Sequence, residues 1–228
     1  MNIKAIVNDI EGTTSSIEFV HKVLFPYSAK ALPDYIRQHF QMPEIAAIIK
    51  DVKVEIDREN ASIDEVITTL LGWIEADKKI TPLKTLQGFI WEDGFKKGEF
   101  KSHIYEDAYL NLKKWRDRNL DLYVYSSGSE KAQKLLFGNT EYGDLNYLFS
   151  GYFDTRIGNK KESPSYQKIA EKIAKEPQEI LFLSDVVAEL NAAASVGYQT
   201  VLLARNEMPE NSQNIRVVNN FDEIEIGA

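Results

Sequence analysis

The sequence predicts an α/β fold: a parallel sheet with helices on both faces and an inserted all-helical segment. Two observations carry that expectation. Short, mainly apolar runs recur between helical patterns, at Ile3 to Val7, Leu120 to Tyr125, Ile180 to Leu183 and Thr200 to Ala204. Such runs are what strands buried on both faces look like. A long stretch after the first run, in contrast, is poor in strand signals and rich in helical ones.

Each helix has its own signal. Residues 105–118 put Tyr105, Ala108, Tyr109, Leu112 and Trp115 on one face. Ser129 is placed to cap a helix carrying Ala132, Leu135 and Leu136, which Gly138 would end. Ser163-Pro164 reads as a cap and first residue for a helix bearing Ile169, Ala170 and Ile173, with Pro177 beyond it. Residues 186–196 give a further helix, stopped at Gly197. In the early stretch, Ile45, Ile48, Ile49, Val52 and Ile56 share one helical face. Ser62 and Glu65 form a capping-box signature ahead of Ile63, Val66, Ile67, Leu70, Leu71 and Ile74. The series predicts a Rossmann-like core over residues 1–14 and 103–228, with a helical cap over 15–102.

Composition narrows the function. A length of 228 residues suits one large domain or a core with an insertion. The net charge of -8 argues against nucleic-acid binding, whose phosphate backbones favour a basic face. Cysteine is absent, which excludes disulfides, thiol nucleophiles and cysteine-based zinc sites. No apolar stretch approaches the roughly 18 residues of a membrane helix. The opening run, broken by Asp9, does not read as a signal peptide. A cytoplasmic monomer with no membrane or nucleic-acid partner is the expectation.

In open parallel sheets ligands bind beyond the carboxyl ends of the strands, so the polar groups there are the candidates. The first run delivers Asp9-Ile10-Glu11-Gly12-Thr13, and the second delivers Ser126-Ser127-Gly128-Ser129. Gly158-Asn159-Lys160-Lys161 follows, and then Ser184-Asp185. Carboxylates, hydroxyls and an ammonium at one rim suit phosphoryl transfer. A carboxylate such as Asp9 can attack phosphorus and form an acyl-phosphate, splitting one hard hydrolysis into two steps. It needs a divalent cation to offset the repulsion between two anions, and oxygen ligands from Asp9 and Asp185 favour Mg²⁺. Ser126 or Ser127 can donate to phosphate oxygens, and a lysine adds charge where the transition state spreads it. Glu11, two residues after Asp9, shares its side of an extended segment and can act as acid and then base.

At these residues the chain resembles the haloacid dehalogenase superfamily, whose first motif reads Asp-x-Asp-Gly-Thr. Glu11 replaces the second aspartate, and Ser184-Asp185-Val186-Val187-Ala188-Glu189 lacks the usual aspartate pair. Asp9-Ile10-Glu11-Gly12-Thr13-Thr14, Tyr125-Ser126-Ser127-Gly128-Ser129, Phe153-Asp154-Thr155 with Gly158-x-Lys160, and Leu86-Gln87-Gly88-x-x-Trp91 resemble one branch, the enolase-phosphatases of methionine salvage. That resemblance implies one Mg²⁺ per chain, held by Asp9, Asp185 and the backbone carbonyl of Glu11. It implies that Asp9 and Glu11 are catalytic and that Ser126, Ser127 and Lys160 bind substrate. The choice of Lys160 over Lys161 rests on it. The implied substrate is a small phosphorylated diketone, 2,3-diketo-5-methylthiopentyl-1-phosphate, enolised and then dephosphorylated. Glu11, Lys160 and cap residues all remain open as the enolisation base, and the role of Glu189 is open too.

Other chemistries share part of this residue set. A sugar-phosphate phosphatase or phosphomutase of the same superfamily would share most of these residues. A carbon–halogen hydrolase needs neither a metal nor an acid at Glu11. A Mg²⁺-binding phospho-signalling receiver also gathers acids, a hydroxyl and a lysine, but without a long helical insertion. A binding module that has lost catalysis fits poorly with the intact charged set. Trp91 and Phe95 read first as core residues, and as an apolar wall for a methylthio tail only second. His21, His39 and His103 show no ligand spacing.

Overall fold

A computed structural model of the chain describes residues 3–78, 80–205, 208, 210–212 and 215–227. The chain divides into two compact units, one from Met1–Ile17 with Ser102–Ala228 and the other from Glu18–Lys101. Among the described residues, no helix is long and apolar enough to cross a membrane.

The first unit is built on a six-stranded sheet. Its strands are β1 (Ala5–Asn8), β2 (Asp121–Tyr125), β3 (Gly151–Phe153), β4 (Ile180–Ser184), β5 (Gln199–Leu203) and β6 (Arg216–Val218). Their order across the sheet is β3-β2-β1-β4-β5-β6, and every pairing is parallel. The direction of travel therefore reverses at β1, between β2 and β4. Parallel strands open a crevice there, beyond their carboxyl ends. Asn8 at the end of β1 is in register with Val124 and Leu183, so the residues that follow all three strands emerge at one level.

Strand alternation sorts the core into two layers. Ile6 joins Leu122, Val124, Leu183 and Leu203 on one face, against Leu112 and Trp115 of α6 (Glu106–Asp117) and Phe137 of α7 (Glu130–Gly138). Ala5 and Val7 join Tyr125, Phe182 and Leu202 on the other. That face packs on Tyr166 and Ile169 of α8 (Ser163–Ile173) and Leu190 of α9 (Val187–Ala194).

The second unit is all helical among its described residues. A short α1 (Ile17–Phe19) runs through a π-helical turn (Val20–Leu24) into α2 (Phe25–His39). Pro26 in the first turn of α2 lacks an N–H, and widened turns accommodate such a gap in the helical ladder. Then come α3 (Pro43–Glu55), α4 (Ile63–Glu75) and α5 (Thr81–Lys97). The apolar faces read from the sequence meet in one cluster. It includes Leu32, Ile36, Ile45, Ile49, Val52, Val66, Leu70, Leu83 and Ile90. The capping box forms as the spacing requires, with Glu65 N–H donating to Ser62 and Ser62 N–H donating to Glu65.

Three local readings change. Glu162, not Ser163, is the N-cap of α8, so Ser163 is already helical and Pro164 lies a residue further in, where its missing N–H still costs nothing. Gly138 is the last helical residue of α7, and Asn139 follows as the C-cap. The strands β3 and β6, three residues each and partly exposed, escaped the apolar-run signal altogether.

In the helical unit, Leu70→Ala removes a fully buried side chain. We expect a loss of about 2–5 kcal/mol in denaturant unfolding. Val54→Ala, at a position 62% exposed, should stay within about 0.5 kcal/mol of the unaltered chain.

Candidate active site

The residues that leave β1 turn at once. The Ile10 carbonyl accepts N–H bonds from Thr13, Thr14 and Ser15, and the Gly12 N–H donates to the Ser15 carbonyl. Thr14 Oγ1 donates to the Asp9 carbonyl at 3.1 Å. Gly12 has φ +75°, and a Cβ there would lie 2.1 Å from Oδ2 of Asp185. Glycine is thus needed twice, for the left-handed backbone and for the room that the Asp185 carboxylate occupies.

Asp9 is 4% exposed. Its Oδ1 accepts from the Ile10 N–H at 2.8 Å and from Lys160 Nζ at 2.6 Å. Ser184 Oγ, at the end of β4, lies 3.3 Å from Oδ2. The same ammonium reaches Glu189 Oε2 at 2.7 Å, and Ser184 Oγ donates to that oxygen at 3.0 Å. Glu11 is partly buried, with Ser126 Oγ 3.4 Å from its Oε2.

Lys160 is delivered by an irregular segment that is firmly tied down. Gly158 has φ +148°, and a Cβ there would strike Ser165 Oγ at 2.2 Å. The Gly158 carbonyl accepts from the Tyr125 hydroxyl at 3.0 Å, Asn159 O from Ser165 Oγ at 2.7 Å, and Lys160 O from the Tyr166 hydroxyl at 2.6 Å. Three consecutive carbonyls are therefore fixed by side chains of β2 and α8. Lys160 ends up buried and Lys161 exposed, so geometry separates the two lysines that spacing alone could not.

Ser126 is fully buried and Ser127 exposed at the rim. Their turn is held by Ser126 N–H donating to Phe153 O and Gly128 N–H donating to Ser126 Oγ. Gln133 Nε2 braces it further, donating to both Gly128 O and Phe153 O at 2.8 Å. Asp154 accepts from the Glu130 N–H at the start of α7 and is paired with Arg156.

The structure thus brings Asp9, Glu11, Ser126, Lys160 and Asp185 to one end of the sheet, with Ser127 beside them. It adds Ser184 and Glu189. Glu189, whose role the sequence leaves open, is 7% exposed and paired with Lys160. Asp185 precedes α9 and Glu189 lies in its first turn, so no helical spacing links the two and only the fold reveals the pairing. The apolar side chains Trp91 and Phe95 serve packing in the helical unit. Trp91 Nε1 donates to Leu24 O at 3.0 Å and its ring stacks on Phe25, while Phe95 packs edge-on against Phe100. His103 Nδ1 accepts from the Ser16 N–H at 3.0 Å.

Electrostatically the cluster is unbalanced. Four carboxylates, Asp9, Glu11, Asp185 and Glu189, share one ammonium. Burial, reinforced by the Asp9 charge, pushes Asp185 up to about 7. Burial and then Asp9 raise Glu11 and Glu189 as well. Burial alone would lower the Lys160 ammonium, but Asp9 and Glu189 outweigh it and keep the group charged.

That surplus of buried negative charge fits a cation. Among the described residues no three acidic or histidine side chains form a closed metal cage. The residues that could hold it are Asp9 and Asp185, through carboxylate oxygens. The Glu11 carbonyl accepts no hydrogen bond among the described residues. An open, all-oxygen set with few protein ligands suits Mg²⁺, which keeps waters and substrate oxygens in its shell.

Comparison with known proteins agrees with this constellation. Residues 3–197 match the family model of the haloacid dehalogenase-like hydrolases. The chain is 56% identical over 227 residues to Enolase-phosphatase E1 of Sulfurihydrogenibium sp. (strain YO3AOP1), covering 99% of each. It is 50% identical to Enolase-phosphatase E1 of Persephonella marina, over 97% of this chain and 98% of that one. Among solved structures, the UTR4 protein of Saccharomyces cerevisiae superimposes with a TM-score of 0.82 at 35% identity, covering 98% of this chain and all of that one. The chain belongs to the haloacid dehalogenase-like hydrolases, within the enolase-phosphatase E1 family.

Proposed function

We propose that the chain is an acireductone synthase, an enolase-phosphatase of methionine salvage. It would enolise 2,3-diketo-5-methylthiopentyl-1-phosphate and then remove the phosphate, giving 1,2-dihydroxy-3-keto-5-methylthiopentene. The substrate rests on the full-length likeness to proteins named Enolase-phosphatase E1. The phosphatase chemistry rests on one geometric observation, the buried Asp9 carboxylate clamped at one oxygen by Lys160 and the Ile10 N–H.

Those two donors fix the rotation of the Asp9 carboxylate, so that it meets phosphorus in one orientation instead of sampling many. Its attack forms the aspartyl-phosphate and expels the substrate oxygen. Glu11, whose affinity for a proton is raised by burial and by Asp9, protonates that oxygen and then takes a proton from the water that cleaves the acyl-phosphate. Ser126 ties Glu11 in place, and Ser127 with the amides of its turn, at the start of α7, binds the phosphate oxygens. Lys160 remains a fixed positive charge beside the phosphoryl group.

Asp9, Asp185 and the Glu11 carbonyl would hold Mg²⁺. When bound, it screens the two approaching anions and acidifies the carbon acid beside a chelated carbonyl. Lys160 is poorly suited to be the enolisation base, since two carboxylates hold its proton. Within the first unit, Glu11 remains for that step. The intact Asp9–Lys160–Glu189 pairing supports catalysis over simple phosphate binding.

Phosphate release from the diketone phosphate should require Mg²⁺ and fall to background in Asp9→Asn, with the circular dichroism spectrum unchanged. The unaltered chain should also generate the enediol absorbance of the product. Turnover of sugar phosphates with inertness toward the diketone phosphate would transfer the assignment to a sugar-phosphate phosphatase.

A further inference from the structure

Arg205 lies just beyond β5, outside every motif singled out in the sequence, yet its side chain is only 7% exposed. Its guanidinium forms a two-pronged pair with Asp107 near the start of α6, at 2.9 and 3.0 Å. The Tyr105 ring centroid lies 3.8 Å from the guanidinium carbon, and that of Phe221 5.3 Å from it. The remaining donor is aimed elsewhere: Nε donates to the carbonyl of Thr13 at 2.8 Å.

Thr13 is part of the turn that carries Asp9 and Glu11. Four of its other carbonyls are held from within or by a neighbouring segment. Asp9 O takes the Thr14 hydroxyl, Ile10 O takes three N–H groups, Ser15 O takes the Gly12 N–H, and Thr14 O takes the Tyr105 N–H. The Thr13 carbonyl is held by a charged side chain 192 positions away. Asp107 is itself braced, accepting the Phe221 N–H at 2.7 Å. Burial opposes its charge, but the Arg205 and Phe221 bonds prevail and keep the carboxyl below its ordinary range.

Burying a guanidinium is costly unless its donors are all met. Here three of its N–H groups are met, two by one carboxylate and one by a backbone carbonyl of the Asp9 turn, and two aromatic rings lie beside it. An apolar side chain would fill that space at lower cost but could not hold a carbonyl at a fixed point. We infer that Arg205, aligned by Asp107, is a positioning residue for the phosphoryl-transfer step: it fixes the Asp9–Ser15 turn from outside the site. The inference rests on the phosphatase reading above. Lysine would keep the charge but lose the fork, so it cannot grip Asp107 and Thr13 together.

The test compares Arg205→Lys, Asp107→Asn and Asn111→Ala with the unaltered full chain, using Mg²⁺ and p-nitrophenyl phosphate, alongside thermal unfolding. Asn111 bonds Asp107 O and Asp222 from the same helix but does not touch the turn, so it serves as the stability control. In Arg205→Lys and Asp107→Asn, kcat should fall about tenfold or more while KM stays within about twofold, because a displaced nucleophile slows chemistry more than binding. Asn111→Ala should keep its kcat even where its melting temperature drops equally. Should Arg205→Lys fail to fold, Asp107→Asn decides. Unchanged kcat in a folded variant, or an equal kcat loss in Asn111→Ala, overturns the inference alone. Absence of turnover by the unaltered chain would instead sink the phosphatase reading beneath it.

Discussion

One ammonium facing several buried carboxylates is the constraint on which the rest of the structure depends. Lys160 holds Asp9 and Glu189 together, but a single positive charge cannot satisfy the acids that β1 and β4 bring to the same level. The strain is visible in Asp185. Its folded pKa of about 7 lies above the ordinary value of 3.8, so its contribution to stability is present at acid pH and lost as pH rises toward 7. A protein gains nothing in stability from such a cluster. It does offer complementary charge to a divalent cation, and on the proposed function that cation and Lys160 together would meet a phosphate dianion.

The scaffold explains how so unfavourable a cluster is tolerated. Its members sit beyond strands whose own residues are buried on both sheet faces, so the backbone beneath them has little freedom. Two glycines then do what no other residue could. Gly12 lets the Asp185 carboxylate lie against the first turn, and Gly158 allows the segment leading to Lys160 to press on Ser165. Around this, neutral donors from Tyr125, Tyr166, Ser165 and Gln133 fix backbone carbonyls without adding charge.

Much of this was legible in the residues themselves. The central strands announced themselves because burial on both faces leaves uninterrupted apolar runs, and Asp9, Ser126 and Asp185 follow from where those runs end. β3 and β6 did not, since three residues with partial exposure carry no periodic signal. The Ser163 cap was misplaced by one residue because Pro164 is acceptable at either of the first two helical positions. Lys160 could not be separated from Lys161 by spacing, since their difference arises from hydrogen bonds made by Tyr125, Ser165 and Tyr166. Arg205 was invisible for a related reason. Its partners, Thr13, Asp107, Tyr105 and Phe221, come from three separate stretches of sequence, and only the fold assembles them.

The most direct measurement is thermal unfolding of the unaltered chain and of Asp185→Asn, each with and without saturating Mg²⁺. If excess buried negative charge awaits a cation, Asp185→Asn should be at least as stable as the unaltered chain without Mg²⁺. The unaltered chain should then gain several degrees on adding Mg²⁺, while the variant gains little. A variant that is less stable without the metal and gains as much from it would contradict that charge balance.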